Sequence, residues 1–230
     1  MLPDYEEFKS RADAVMARIA RACEASGRPP SGVQLLAVTK SHPVEAVEHA
    51  ARYGLRAVGE NRVQEGVDKR AQSKSALSWE LIGHLQSNKA RLAAQNFDRI
   101  QSVDSARLLE ILDRVAGELG RRQAVLLQVN AGLDPAKSGV EPEGAQALLE
   151  SALTRANLRV DGLMTIAPLS DDPDVARRTF ENLRAIRDSL REKSGAALAE
   201  LSMGMSGDLD AAVAAGSTIV RVGSALFGAR

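Results

Sequence analysis

The sequence predicts an α/β fold, a single (β/α)8 TIM-type barrel with an extra N-terminal helix. Short apolar runs alternate with longer helical patterns from residue 33 onward, and there are eight such runs. Eight strands that are each followed by a helix favour a parallel barrel. The length of 230 residues agrees, because it leaves roughly 25 residues for each of eight units after the first segment. An open doubly wound sheet is the alternative architecture.

Residues 1–32 are expected to form an N-terminal helix and a linker that pack on the barrel. Apolar side chains recur every three or four residues over 4–25, which puts them on one helix face. They are Phe8, Ala12, Val15, Ile19 and Ala22. Glycines and prolines over 27–32 end the helix. Cys23 lies beside the apolar stripe, which favours a packed, inert thiol over a reactive one.

The strand candidates are short apolar runs separated by helical patterns. The runs cover 33–38, 56–59, 79–83, 99–103, 124–129, 160–166, 197–203 and 218–222. The helical patterns between them include 44–52, 106–119, 144–155 and 174–190. No linker or change in composition interrupts them, so we expect residues 1–230 to form a single domain.

Composition argues against several classes of partner. Lys plus Arg equals Asp plus Glu, at 30 each, so no overall field attracts nucleic acid or an anionic membrane. No apolar stretch approaches the roughly 20 residues that span a bilayer, and the acidic N-terminus lacks a signal-peptide pattern. One cysteine cannot form an intramolecular disulfide or a metal-ligand cluster. We therefore expect a cytoplasmic monomer with no metal site.

Functional groups of such barrels collect where the strands end, and the first strand is followed by Lys40. An ammonium beside so apolar a strand is unfavourable unless it is paired or has lost its proton. Burial lowers the pKa of a lysine, and a neutral amine is what a carbonyl cofactor needs to form a Schiff base. The alternative is a lysine that extends from the strand end into solvent.

The second and third strand exits carry Asn61 and His84. Asn61 is suited either to cap the following helix or to present its amide to a ligand. His84 faces the barrel mouth, where it is suited to donate to a ligand or exchange protons. His42 and His49 belong to the region of the first barrel helix, and we expect both on the surface.

The last two strand exits pair small residues with short helices. Ser206 follows the seventh strand, and Gly223 and Ser224 follow the eighth. Phosphate sites in these barrels are commonly built from these two loops and a short helix N-terminus. Glycine lets the backbone approach a ligand, and the serines offer hydroxyls. Two ordinary helix caps are the alternative interpretation.

Arg221 lies inside the eighth strand between two valines, so its side chain should point into the barrel. A buried guanidinium stays protonated and needs acceptors. The sequence leaves open whether the acceptor is a structural carboxylate or a ligand atom.

Six motifs in order resemble the pyridoxal-phosphate homeostasis family, whose members resemble the barrel domain of alanine racemase. They are AVTK ending at residue 40, GENRVQE at 59–65, IGHLQSNK at 82–89, GLMTI at 162–166, LSMGMSGD at 201–208 and VRVGSALFGAR at 220–230. The resemblance implies that pyridoxal 5'-phosphate (PLP) is bound as a Schiff base on Lys40. It implies that Ser206, Gly223 and Ser224 hold the phosphate, that Arg221 approaches the pyridine nitrogen, and that Asn61 lines the pocket with Met203 and Met164 nearby.

By this resemblance the chain is expected to be a cofactor carrier that limits free PLP and supplies PLP-dependent apoenzymes, and not an enzyme. The rival function is a PLP-dependent amino-acid racemase, which needs a second acid–base group opposite the lysine. Tyr5 and Tyr53 are poorly placed for that task, which leaves His84. A phosphate-sugar-binding barrel would give Lys40 no task. The sequence leaves the roles of His84 and Lys137 open.

Overall fold

The computed structural model describes residues 2–228, which form a closed barrel of eight parallel strands and confirm the predicted fold class. The strands are β1 (Gln34–Val38), β2 (Ala57–Glu60), β3 (Ser78–Leu81), β4 (Arg99–Val103), β5 (Gln123–Gln128), β6 (Leu158–Met164), β7 (Glu200–Ser202) and β8 (Ile219–Val222). Each strand pairs with the next, and β8 closes on β1 with Arg221 opposite Leu36. The carboxyl ends of all eight strands therefore meet at one end of the barrel.

Helices cover the outside of the barrel. They are α1 (Tyr5–Ala25), α2 (Glu45–Tyr53), α3 (Val63–Gln72), α4 (Ala90–Asn96), α5 (Ala106–Glu118), α6 (Ala145–Leu153), α7 (Pro173–Ser194), α8 (Leu209–Ala214) and α9 (Ser224–Phe227). One helix follows each strand, and α1 precedes the barrel. Within residues 2–228 no helix is both long and apolar enough to cross a membrane.

The core has two parts. A large cluster of buried apolar side chains fills the space between the strands and the helices, and it includes those of α1. A smaller cluster inside the barrel consists of Leu36, Val38, Ala57, Ile82 and Ile219. Buried polar side chains from β4, β7 and β8 are also linked across the barrel.

Helix α1 packs against α8 and α9. Asp4 caps its N-terminus through a 2.8 Å hydrogen bond from the backbone of the first turn. The ring of Phe8 stacks on Phe227 of α9, with 5.3 Å between the ring centroids. Arg18 donates a 2.6 Å hydrogen bond to the Ser206 carbonyl in the loop after β7. α1 therefore contacts the segments that follow the last two strands.

The seventh strand is shorter than predicted. The sequence pattern places a strand over 197–203, whereas β7 covers only Glu200–Ser202. Leu198 is buried but has a φ of 36°, in the left-handed region that a strand cannot accommodate. Its apolar character thus reflects packing outside the sheet. The other seven strands agree with their predicted bounds to within two residues at each end.

Candidate functional site

A cavity of about 640 Å3 opens at the carboxyl ends of the strands. Seven of the residues that the sequence singles out line it together. They are Lys40, Asn61, His84, Ser206, Arg221, Gly223 and Ser224. Lys137, from the segment between β5 and α6, also lines it. The fold thus brings the exits of the first three and last two strands into one site.

Lys40 stands two residues beyond β1, and side chains hold the backbone on both sides of it. The Thr39 carbonyl accepts a 2.6 Å hydrogen bond from Lys69 Nζ. The Ser41 amide donates to a carboxylate oxygen of Glu65. Ser41 has a φ of 61°, a left-handed conformation that is uncommon for residues other than glycine. These bonds fix the turn that presents Lys40 to the cavity.

Lys69 is the centre of a buried charged cluster beside that turn. Its Nζ donates to Glu60 Oε1 and to Glu65 Oε1, each at 2.7 Å. The Thr39 hydroxyl donates to the same Glu60 oxygen at 2.6 Å. Glu60 is fully buried, and its Oε2 has no hydrogen-bond partner within the described part of the chain. The sequence-based prediction missed this cluster because Glu60 and Lys69 are nine residues apart, a spacing that matches no motif.

The pKa values of the two carboxylates in the cluster are shifted in opposite directions. Burial raises the pKa of Glu60, although Lys69 and Thr39 act against the shift. For Glu65 burial is outweighed by hydrogen bonds from Lys69 and the Ser41 amide, so its pKa lies below the usual value. Lys69 thus favours the charged form of both carboxylates.

The loops after β7 and β8 approach each other closely at the other side of the cavity. The Ser224 hydroxyl lies 3.2 Å from the Ser206 hydroxyl. Gly204 has a φ of 96°, and a Cβ there would lie 2.4 Å from Ala212 Cβ. A Cβ on Gly223 would lie 3.2 Å from the Val38 carbonyl of β1, tighter than most contacts. Glycines at both positions therefore allow the two loops to pack against the barrel mouth.

Arg221 reaches the cavity from inside the barrel and is 4% exposed. Its Nη1 donates to the Ser202 hydroxyl at 2.8 Å, and its Nη2 donates to the Thr165 carbonyl at 2.7 Å. Neither partner is a carboxylate, so the structure does not support the carboxylate alternative within residues 2–228. Burial lowers the pKa of Arg221 to about 10, and Asp208 opposes the shift. The guanidinium therefore remains charged at neutral pH.

The histidines require a correction. His84 is exposed on the cavity wall, with Nδ1 3.8 Å from Asp104 Oδ2. His42, expected on the surface, instead lines the cavity because its ring packs on Phe227, with 5.1 Å between the centroids. His49, also expected there, is half-buried between two aromatic rings of α1. Contacts with the aromatic rings of α9 and α1, respectively, account for the two differences.

Two methionines that were expected near the pocket are buried beneath the surface. Met203 and Met164 are fully buried, and neither is among the residues that line the cavity. Met203 belongs to the large cluster between the strands and the helices, so its side chain packs away from the barrel interior. Met164 is the last residue of β6 and lies beside Ser202 in the sheet.

The two tyrosines lie on the outer helices and do not line the cavity. Tyr5 begins α1, and Tyr53 ends α2. The Tyr53 hydroxyl donates to Asp13 Oδ1 at 2.7 Å. Burial, together with this bond, raises the pKa of Tyr53 to about 12. The expectation that neither tyrosine is placed for acid–base work at the site therefore agrees with the geometry.

Comparison with known proteins places the chain in a family. The model of the alanine racemase N-terminal domain matches residues 11–230. Pyridoxal phosphate homeostasis proteins of Aquifex aeolicus and Vibrio cholerae are 40% and 42% identical to the chain. The alignments cover 96% and 94% of this chain, and 97% and 93% of those relatives. The chain belongs to the pyridoxal phosphate homeostasis protein family.

Solved structures extend the comparison. PipY of Synechococcus elongatus PCC7942, a structure described as having PLP bound, is 45% identical to this family member, with a TM-score of 0.81. The match covers 91% of this chain and 100% of PipY. An alanine racemase from Clostridium difficile 630 is 15% identical, with a TM-score of 0.81. That match covers 98% of this chain and 57% of the racemase, and it shows a shared fold alone.

Proposed function

We propose that the chain binds pyridoxal 5'-phosphate and buffers or delivers it in intracellular PLP homeostasis. The observation that carries the proposal is the convergence of Lys40, Arg221 and the paired hydroxyls of Ser206 and Ser224 in one cavity. An aldehyde, a ring nitrogen and a phosphate each have a group of suitable chemistry there. The PLP-bound structure of PipY, at 45% identity, supports the same ligand.

The chemistry of the cavity fits PLP at each of its polar ends. Two hydroxyls 3.2 Å apart present donors that a phosphate can share. Close to them, Gly223 leaves the backbone accessible where a side chain would press on β1. The buried guanidinium of Arg221 supplies a fixed cation inside the barrel. Of the two lysines in the cavity wall, Lys40 is the one that closely follows a barrel strand.

We assign the site residues accordingly. Lys40 would hold the aldehyde through Nζ as a Schiff base, and Arg221 would face the pyridine nitrogen. Ser206, Gly223 and Ser224 would hold the phosphate, and Asn61 and His84 would line the space between these groups. PLP, when bound, supplies an aldehyde and an electron-withdrawing ring. The protein's own contribution is to orient the cofactor and to limit the reaction of its aldehyde with other amines.

A carrier explains the site better than a racemase does. A racemase that uses two bases needs a second acid–base group, and neither Tyr5 nor Tyr53 lines the cavity. A guanidinium beside the pyridine nitrogen disfavours protonation of that nitrogen, which weakens the electron sink. The relatives are named as homeostasis proteins, which supports the same interpretation. We therefore propose that PLP-dependent apoenzymes receive the bound cofactor, and that catalytic turnover is at most weak.

We also propose that residues 1–230 act as one PLP-binding domain in a cytoplasmic monomer. The close contacts of α1 with α8 and α9 support the inclusion of the N-terminal helix in this domain. Light scattering of the purified protein should give the mass of one chain, about 24.5 kDa. Limited proteolysis should leave α1 attached to the barrel under native conditions.

Absorption spectra before and after borohydride treatment test the function directly. The loaded protein should lose its visible band on reduction, and peptide mapping should place the pyridoxyl group on Lys40. Lys40→Ala should abolish the band. Lys137→Ala is the matched control, because Lys137 lines the same cavity from the segment after β5. A label found mainly on Lys137 or Lys89 would contradict the assignment.

A further inference from the structure

A chain of hydrogen bonds crosses the barrel from Arg221 to Glu80. Arg221 Nη1 donates to Ser202 Oγ at 2.8 Å, and Ser202 Oγ donates to Gln101 Oε1 at 2.6 Å. Gln101 Nε2 then donates to Glu80 Oε2 at 2.5 Å. All four side chains are buried, with exposures of 4% or less. Four different strands supply them, and no motif links their positions in the sequence.

The chemistry at the Glu80 end fixes the direction of every bond in this chain. An ionised carboxylate only accepts, so the Gln101 amide must turn its nitrogen toward Glu80. Its oxygen then faces Ser202 and takes the hydroxyl proton. The Ser202 oxygen is left with its lone pairs toward Arg221, which only donates. Turning the Gln101 amide over would instead set its oxygen against the Glu80 carboxylate, acceptor against acceptor.

Glu80 is itself held at the far end of the barrel. Arg99 donates to both of its carboxylate oxygens, at 2.9 and 2.7 Å. Asp161 and Glu200 each lie 3.6 Å from Arg99 and complete the cluster. Glu80, Arg99 and Asp161 line a smaller cavity at the amino ends of the strands, opposite the site that contains Lys40. The carboxylate is therefore fixed independently of anything in that site.

We propose that Glu80 is a positioning residue of the cofactor site, acting through Gln101 and Ser202 to hold the Arg221 guanidinium in its orientation. The effect on PLP rests on the proposed function, whereas the coupling between Glu80 and Arg221 is a property of the protein alone. Because each link depends on the one before it, the orientation of Arg221 depends on a group that does not touch the cavity.

Gln101→Met is the sharpest variant, because it cuts the chain without substituting Glu80 and Arg99 at one end or Ser202 and Arg221 at the other. Gln123→Met is its matched control. Gln123 is also fully buried, but its amide donates only to backbone carbonyls. Glu80→Gln removes the negative charge that sets the direction and introduces an amide donor. Asp161→Asn removes a negative charge near Arg99 without touching the chain.

The primary readout is hydrogen exchange of the Arg221 guanidinium, followed by ¹⁵N NMR on PLP-free protein and assigned with Arg221→Lys. Gln101→Met and Glu80→Gln should each speed this exchange by about tenfold, the loss expected for one hydrogen bond to a charged group. In the two controls, Gln123→Met and Asp161→Asn, the exchange rate should stay within about twofold of the wild-type rate. If both chain variants also stay within twofold, or if Gln123→Met has the same effect as Gln101→Met, the proposal is overturned.

PLP titrations form the second readout. The chain variants should weaken PLP binding by about three- to tenfold, less than the loss of a direct contact. The chain variants should also change the absorption spectrum of the bound cofactor. If the chain had a purely structural role, their spectra would match that of Gln123→Met. A wild-type protein that fails to bind PLP would overturn the proposed function and leave the NMR result to decide the coupling.

Discussion

Lys69 places its ammonium 2.7 Å from Glu60 Oε1, and both side chains are buried beside the turn that carries Lys40. The same ammonium bonds the Thr39 carbonyl, one residue before Lys40. The Lys69–Glu60 pair therefore fixes the backbone beside the site, and neither side chain lines the cavity. Removing either charge should disturb both stability and the position of Lys40.

Lys69→Met should destabilise the protein by about 3–5 kcal/mol at neutral pH, because it leaves the Glu60 carboxylate buried without its partner. Urea unfolding measures this loss. Lys74→Met, at an exposed lysine near the end of α3, is the control and should change the free energy of unfolding by less than about 0.5 kcal/mol. Equal effects of the two substitutions would show that the buried pair contributes nothing special.

The same substitution should have a defined pH dependence. Burial already raises the pKa of Glu60, and loss of Lys69 raises it further. A carboxyl with a raised pKa in the folded state favours folding below its unfolded value of about 4.3, and that contribution is lost as pH rises through the folded pKa. The difference between Lys69→Met and wild type should therefore shrink as pH falls from 8 toward 5. A constant or growing difference would contradict this assignment.

Ser206→Ala and Ser224→Ala should weaken PLP binding much more than binding of unphosphorylated pyridoxal. A hydrogen bond to a charged phosphate is worth roughly 1.5–3 kcal/mol, so each loss should be about 10- to 100-fold. Fluorescence titration with both ligands provides the comparison. Cys23→Ser is the control, because this buried residue belongs to the core that includes α1 and should leave both affinities unchanged. Equal losses for both ligands would rule out a phosphate role for the serines.

Gly204→Ala should destabilise the protein by about 2–4 kcal/mol, from the sum of left-handed strain and a clash. The new Cβ would lie 2.4 Å from Ala212 Cβ at a φ of 96°. Gly54 has a φ of 91° with no atom within 4 Å of its Cβ position, so Gly54→Ala should show the strain alone. Thermal unfolding of both variants separates the backbone strain from the clash. Similar losses of stability in the two variants would mean that α8 moves to accommodate the new Cβ at little cost.

Amino acids should exchange their Cα proton slowly on the loaded protein. The cavity lacks both tyrosines, and Arg221 remains charged at neutral pH beside the proposed position of the pyridine nitrogen. Deuterium incorporation from heavy water, followed by NMR over a panel of amino acids, should stay well below about 1 s⁻¹. Faster exchange would favour the racemase, and His84 would be the first residue to substitute.

The sequence was sufficient to predict the barrel and the strand exits, because both follow from local patterns. Periodicity marks each strand, and a parallel barrel gathers residues such as Lys40, Ser206 and Ser224 at one end. The sequence was not sufficient to predict the buried polar network inside the barrel. Ser202 and Gln101 are 101 residues apart, so nothing local relates them. The side-chain direction of Met203 was not predictable either, since the chain leaves β7 immediately before it and the side chain lies in the outer core.

Helix α1 makes contacts with consequences beyond coverage of the core. Arg18 holds the Ser206 carbonyl at 2.6 Å, and Phe8 stacks on Phe227 three residues after Ser224. The helix is therefore attached to both segments that carry the serine hydroxyls. If the docked helix increases the affinity for a ligand that orders those segments, the bound ligand must stabilise the docked position of α1. The two effects are equal in free energy, because coupling between two binding equilibria is reciprocal. Ligand binding in the mouth of the barrel would then be detectable at its outer surface, as slower amide hydrogen exchange along α1.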